Sequence, residues 1–235
     1  TPYPTLFPYT TLFRSRKELL KNTDEFLTLS GKAALYLNEH MRQVRLVGIG
    51  LVVIAVAYIS IWGYLKHTNK MGQAAYNVAY DTLVQSLQAE DADEDSIKKS
   101  ERLFEAVISD YSMSKAADLA LAQVGHGKFT NKQYDDAIDY YQEFSSKASG
   151  NEAYETLTLL ALAACHEAKG EMKKAAEILD GIMENSDNPF RENAMLNLER
   201  IYRLDNQPEK ANEILKAFAK EYGNSPFFPM VKARI

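Results

Sequence analysis

From Lys66 to Ile235 every strong pattern of apolar and polar residues has a period of three to four, the spacing of helices that bury one face. The pattern also recurs on a longer scale. Aligning Ser100, Ala137, Ala175 and Ala211 as the small residues where two helices cross gives intervals of 37, 38 and 36 residues, near the ~34 of repeating helix-turn-helix units. Four residues after each anchor stands Phe104, Tyr141, Leu179 or Leu215, and three further on Val107, Phe144, Ile182 or Phe218, which together make one face of a helix. On the preceding helices, Leu121, Val124 and Gly125, then Leu159, Leu162 and Ala163, then Met195, Leu198 and Tyr202 are expected to face the core.

Turn residues fall where hairpins need them, at Asn131, at Gly170 and at Asn206-Gln207-Pro208. Polar punctuation at residues 111–114, 149–151, 186–189 and 222–226 separates successive hairpins. A single hairpin leaves an apolar face bare, and stacking neighbours buries it. Residues 66–235 are therefore expected to form an α-solenoid of about four tetratricopeptide-like hairpins. Its first unit departs most, because Ser100 replaces alanine and an acidic stretch at residues 90–95 lengthens the turn.

Residues 46–65 read LVGIGLVVIAVAYISIWGYL, twenty positions without a charge. At ~1.5 Å per residue they span ~30 Å, the thickness of a bilayer core. Tyr58, Trp62 and Tyr64 crowd one end, where aromatic rings favour the membrane interface, and Arg42 and Arg45 mark the other. Arg16, Lys17, Lys21, Lys32, Arg42 and Arg45 precede the span, whereas only Lys66 and Lys70 follow it before Lys98, so the N-terminal side is expected in the cytoplasm. Phe26, Leu29, Ala33, Leu37, Met41 and Val44 recur at helical spacing, which predicts an amphipathic cytoplasmic helix within residues 16–45. Fold class is thus all-α, with a single transmembrane helix followed by the repeat array.

Residues 5–15, TLFPYTTLFRS, match one reading frame of a common sequencing adapter, and residues 1–15 lack both a helical period and the ordered regions of a signal peptide. They are expected to be artefact, with the native N-terminus upstream of Arg16 missing. Charge separates the rest. From Lys66 onward 20 Lys and Arg stand against 28 Asp and Glu, a formal −8, while residues 1–65 carry +3. An acidic outer domain disfavours nucleic acid and anionic lipid and suits protein partners.

Little in the chain points to chemistry. Cys165 has no cysteine to pair with, and His40, His67, His126 and His166 have no ligand cluster at metal spacing. Asp91, Asp93 and Asp95 alternate as in a calcium loop, but Ser96 and Arg102 stand where glycine and glutamate are required. Cys165 and His166 are helix neighbours pointing ~100° apart, which does not make a nucleophile and base. No catalytic, cofactor or metal residue is assigned, no small-molecule substrate is implied, and the chain is expected not to be an enzyme. One polar stripe stands out: Asn193, Asn197 and Arg200 at i, i+4 and i+7, with Arg203 one turn on. In tetratricopeptide arrays this face lines the concave groove, where basic and amide groups can hold a carboxylate. A solvated helix face is the alternative.

The order of parts, a short cytoplasmic helix, an N-in span, then FEAVISDYSMSKAADLALAQVG and further hairpins, resembles bacterial YfgM-type proteins over residues 18–235. That resemblance implies an inner-membrane protein with a periplasmic array, serving as an ancillary subunit of the Sec translocon and associating with periplasmic chaperones. An organiser of envelope assembly or cell division is the alternative use of the same array.

Overall fold

A computed structural model of the chain describes residues 28, 31–88 and 94–235. Residues 1–15, the apolar positions Phe26 and Leu29, and Asp91 and Asp93 lie outside the described residues. Among the described residues the fold is all-helical, without strands. Helices are numbered α1 (Met41–Gln88), α2 (Glu94–Asp110), α3 (Lys115–Thr130), α4 (Tyr134–Lys147), α5 (Glu152–Ala168), α6 (Met172–Met183), α7 (Arg191–Leu204), α8 (Pro208–Glu221) and α9 (Phe228–Lys232).

The chain divides into two units, residues 1–63 and 64–235. In the first, residues 31–39 are helical and are followed by the start of α1. Val47, Ile49, Leu51, Val52, Ile54, Ile59 and Ile61 all stand exposed, and none of the most apolar stretch of α1 is covered by protein. By length and composition this helix can cross a membrane.

The second unit is the repeat array. Residues 64–88 of α1 pack through Tyr76 and Ala79 on Phe104 and Val107 of α2 and on α3, and α3·α4, α5·α6 and α7·α8 form the next three hairpins, with α9 packed on α8. The anchor residues Ser100, Ala137, Ala175 and Ala211 are all buried, as are the eight large residues four and seven positions after them. Each such Leu, Ile, Phe or Val contributes ~1.5–3 kcal/mol by leaving water. Small residues at the anchors let paired helices approach. On the facing helix Gly125 serves the same end, since a Cβ there would lie 3.0–3.3 Å from three atoms of the Tyr141 ring.

Three hairpins turn in the same way. Lys132 (φ 61°), Gly170 (φ 78°) and Asn206 (φ 56°) each adopt the left-handed conformation after the first helix. In each, the next N–H reaches back to a carbonyl five residues earlier: Gln133 to Lys128, Glu171 to His166 and Gln207 to Tyr202, at 2.8–2.9 Å. This is the closure of a helix by a left-handed residue, satisfying carbonyls the helix end leaves unpaired. First helices α3 and α5 begin with side-chain caps, from Ser114 to the Ala117 N–H and from Asn151 to the Tyr154 N–H.

One helix face differs from expectation. In α5 the interior residues are Thr156, Thr158, Ala163 and Cys165, whereas Leu159 is 36% exposed and Leu162 only partly buried. The threonine hydroxyls donate to carbonyls of their own helix, Thr156 to Glu152 and Thr158 to Tyr154, at 2.9 and 2.7 Å. With the hydroxyl satisfied locally, threonine packs as an apolar residue.

Candidate protein-docking face

First helices of the array bond to one another across hairpins in two places. Tyr76 of α1 meets Gln123 of α3, and Arg200 of α7 meets Glu167 of α5. Apolar side chains stand open on α5: Tyr154 at 39% and Leu157 at 46% exposure, with Ala161 and Ala164 partly exposed further along the same stripe.

Polar bonds also tie the start of a first helix to the loop that ends its hairpin. For the first hairpin, Asn69 Oδ1 accepts the Lys115 N–H at 2.9 Å. Gly72 allows this approach, since a Cβ there would meet the Ser114 hydroxyl at 2.5 Å. For the third, Asn185 donates to Glu152 at 2.8 Å and Asn188 to Thr156 at 2.9 Å. For the fourth, the Ser225 hydroxyl donates to Glu192.

The second hairpin has a cleft at that corner. It measures about 470 Å³ and is lined by Lys115, Asp118, Leu119, Phe144, Lys147 and Tyr154 together with the closing loop at residues 148–151. Phe144 and Tyr154 form its aromatic wall, with ring centroids 5.7 Å apart. Burial raises the Asp118 pKa, Lys147 opposes that rise and Glu143 adds to it.

The sequence-predicted residues Asn193, Asn197, Arg200 and Arg203 all lie on α7, and Asn197 and Arg200 are bonded to one another. Arg200 pairs with Glu167 and donates to Asn197 Oδ1 at 3.1 Å. Arg203 donates through Nε and a terminal nitrogen to Glu199, at 2.8 and 2.6 Å. Asn193 is exposed. Both arginines are therefore already neutralised by carboxylates of this chain, which a helical wheel of α7 alone could not reveal for Glu167. Glu199 is 1% exposed and is also held by Arg234 at 3.1 Å. It occupies, twelve residues before Ala211, the place of Gly125 and Ala163 before their anchors.

Other titratable groups serve the fold. Cys165 packs with Ala137, Ile138 and Tyr141, and burial pushes its thiol up to about 11. The His166 imidazole instead lies 2.8 Å from Glu171. Glu171 also binds Lys174 and Lys169, and hydrogen bonds from Lys174, then His166 and Lys169, hold its pKa down at about 2. Lys115, Asp118 and Lys147 were missed from sequence. Their signal was available in the repeat register, where Asp118 precedes Gly125 by seven residues as Thr156 precedes Ala163 and Glu192 precedes Glu199.

Comparison with known proteins agrees with this architecture. The family model described as a tetratricopeptide repeat-like domain matches residues 41–179. Among solved structures, a putative kinesin light chain from Podosopora anserina with nearly identical TPR-like repeats is similar in fold. It aligns at TM-score 0.53 with 16% identity over 72% of this chain and 84% of that one. A single-site variant of that protein aligns at TM-score 0.54 with the same identity and coverage. Among curated proteins no sequence matches the chain.

Proposed function

The chain belongs to the tetratricopeptide repeat-like domain family, and from that premise we propose that it is a non-catalytic membrane-anchored scaffold that docks other proteins on the face shared by its first helices. The observation that carries this reading is the double use of α1. Its first part is apolar and uncovered, and from residue 64 it supplies the first helix of the array. The family match spans both parts. An open face bearing Tyr154 and Leu157 has the apolar character that protein partners cover.

The domains proposed are an adapter-derived artefact at residues 1–15, a cytoplasmic helix at 16–45, a transmembrane helix at 46–65 and a periplasmic array at 66–235. The resemblance to YfgM-type proteins makes the Sec translocon and periplasmic chaperones the partners proposed. Asn193, Asn197, Arg200 and Arg203 belong to the proposed face, their arginines meeting a partner only by giving up Glu167 or Glu199.

Crosslinking in native membranes followed by mass spectrometry tests the partner. Translocon subunits and chaperones are expected among the products, and cell-wall synthases in their place would favour the envelope organiser. Orientation is tested by Ser186→Cys, an exposed loop position. An impermeant thiol reagent should label it in cells with a permeabilised outer membrane. Labelling only after lysis would put the array in the cytoplasm and end the translocon reading.

A further inference from the structure

The loop that ends the first hairpin lies just beyond the point where α1 leaves its apolar stretch. Within the second unit, whose first residues Tyr64 and Leu65 end the uncharged run, two contacts fix the height of that loop along α1. Asn69 accepts the Lys115 N–H at 2.9 Å, and a Cβ on Gly72 would stand 2.5–3.1 Å from atoms of Ser114 and Tyr111. At ~1.5 Å per residue, Asn69 and Gly72 stand ~6 and ~10 Å past Leu65, against a headgroup layer ~5–8 Å deep on each side of the hydrocarbon. A packed neighbour lies ~8–10 Å from a helix axis, so a tilt of ~20° toward the loop lowers it by a further ~3 Å. The loop therefore stands level with lipid headgroups.

The residues at this level suit a bilayer surface. Met113 is 62% exposed, and Met71 of α1, beside Gly72, is 42% exposed. The loops that end the second and third hairpins, residues 148–151 and 184–190, bear no large exposed apolar side chain, while Phe227 follows the fourth. Charge agrees. Residues 46–80 contain no Asp or Glu, and the level of the loop carries Lys66, Lys70 and Lys115 against Asp110. Most of the acidic residues that give the domain its formal −8 thus stand elsewhere, and a lysine stem can lie along acyl chains with its ammonium among the phosphates. Resting on the membrane-anchored reading above, we propose that residues 111–115 dip into the headgroup layer of the bilayer that α1 crosses. Met113 inserts beside the emerging helix, and Lys66, Lys70 and Lys115 meet lipid phosphates. A single span leaves the array free to lean in any direction. A second contact fixes which side leans toward the bilayer, and with it the angle at which the docking face meets a partner.

The test uses the full chain in nanodiscs of phosphatidylethanolamine and phosphatidylglycerol, with Cys165→Ala and one new cysteine carrying the fluorophore NBD. Lipid bearing a nitroxide on its headgroup should quench NBD at Ser112→Cys, an exposed position of the loop, about threefold or more than at Asn131→Cys, an exposed turn at the far end of α3. Adding Met113→Asp should bring the first down to the level of the second while keeping the parent's circular dichroism. Quenching at residue 112 no greater than at residue 131, or unchanged by Met113→Asp, would overturn the inference. NBD at Ile54→Cys, with the nitroxide moved to the middle of the acyl chain, reports the span itself. Quenching there without quenching at residue 112 refutes the loop contact and leaves the anchor standing, whereas no quenching at residue 54 sinks the anchor and the loop contact with it.

Discussion

The same chemical change at two helical glycines should have opposite effects. Gly181, in α6, has nothing within 4 Å of where a Cβ would lie. Gly181→Ala should therefore stabilise by ~0.5–1 kcal/mol through helix propensity alone. Gly125→Ala gains the same propensity but drives a methyl to 3.0 Å from Tyr141, whose ring is itself buried against Ile138 and Cys165 and has little room to move. Overpacking costs ~1–3 kcal/mol, so the net effect is a loss of ~1 kcal/mol, or ~2–4 °C in Tm for a chain of this size. The pairing of sizes continues along the array. Ala163 shares its core cluster with Leu179, a smaller partner in the register of Tyr141. In a Tyr141→Leu background, Gly125→Ala should accordingly become stabilising. Thermal melts of the four proteins of this cycle, followed by circular dichroism in detergent, give the coupling, expected at ~1–3 kcal/mol. Additivity within ~0.5 kcal/mol, or stabilisation by Gly125→Ala alone, would refute the close crossing of α3 and α4.

Gly170→Ala places a side chain at φ 78° with open space around it, so backbone strain alone should cost ~1–2 kcal/mol in the same melts. Glu171, held down at about 2 from an ordinary 4.5, contributes stability that is present above pH 4.5 and lost as pH falls towards 2. Acid melts should show Glu171→Gln shedding less stability than the parent across that window, and equal acid sensitivity would count against the cluster. Cys165, buried and with its pKa pushed up to about 11, should resist thiol reagents at neutral pH until denaturant is added. Rapid native labelling would show that the α4·α5 interior opens.

The second helices were readable from sequence because their code is local: a small anchor with large residues four and seven places on, and all twelve positions are buried. The face of α5 was harder. Its threonines satisfy their hydroxyls within their own helix and enter the core, displacing Leu159 outward, and hydropathy does not register that exchange. The candidate site was half legible. Arg200 and Arg203 were visible as cations on one face, but the neutralising Glu167 lies 33 residues earlier and is brought near only by stacking. The corner at Asp118 leaves no mark in composition or hydropathy, and only the repeat register, which sets Asp118 level with Thr156 and Glu192, points to it.

On the proposed scaffold reading the chain is tethered at one end and gripped at the other, and the bonds between helix starts and closing loops decide where the load falls. Through Asn69 and Lys115, Asn188 and Thr156, and Ser225 and Glu192, the chain enters and leaves three hairpins at bonded points. Tension along the backbone there strains short polar bonds before it can peel the helices apart. Among the described residues the second hairpin has no such clasp, so under a pulling force it should extend first, making it the weakest link of the array.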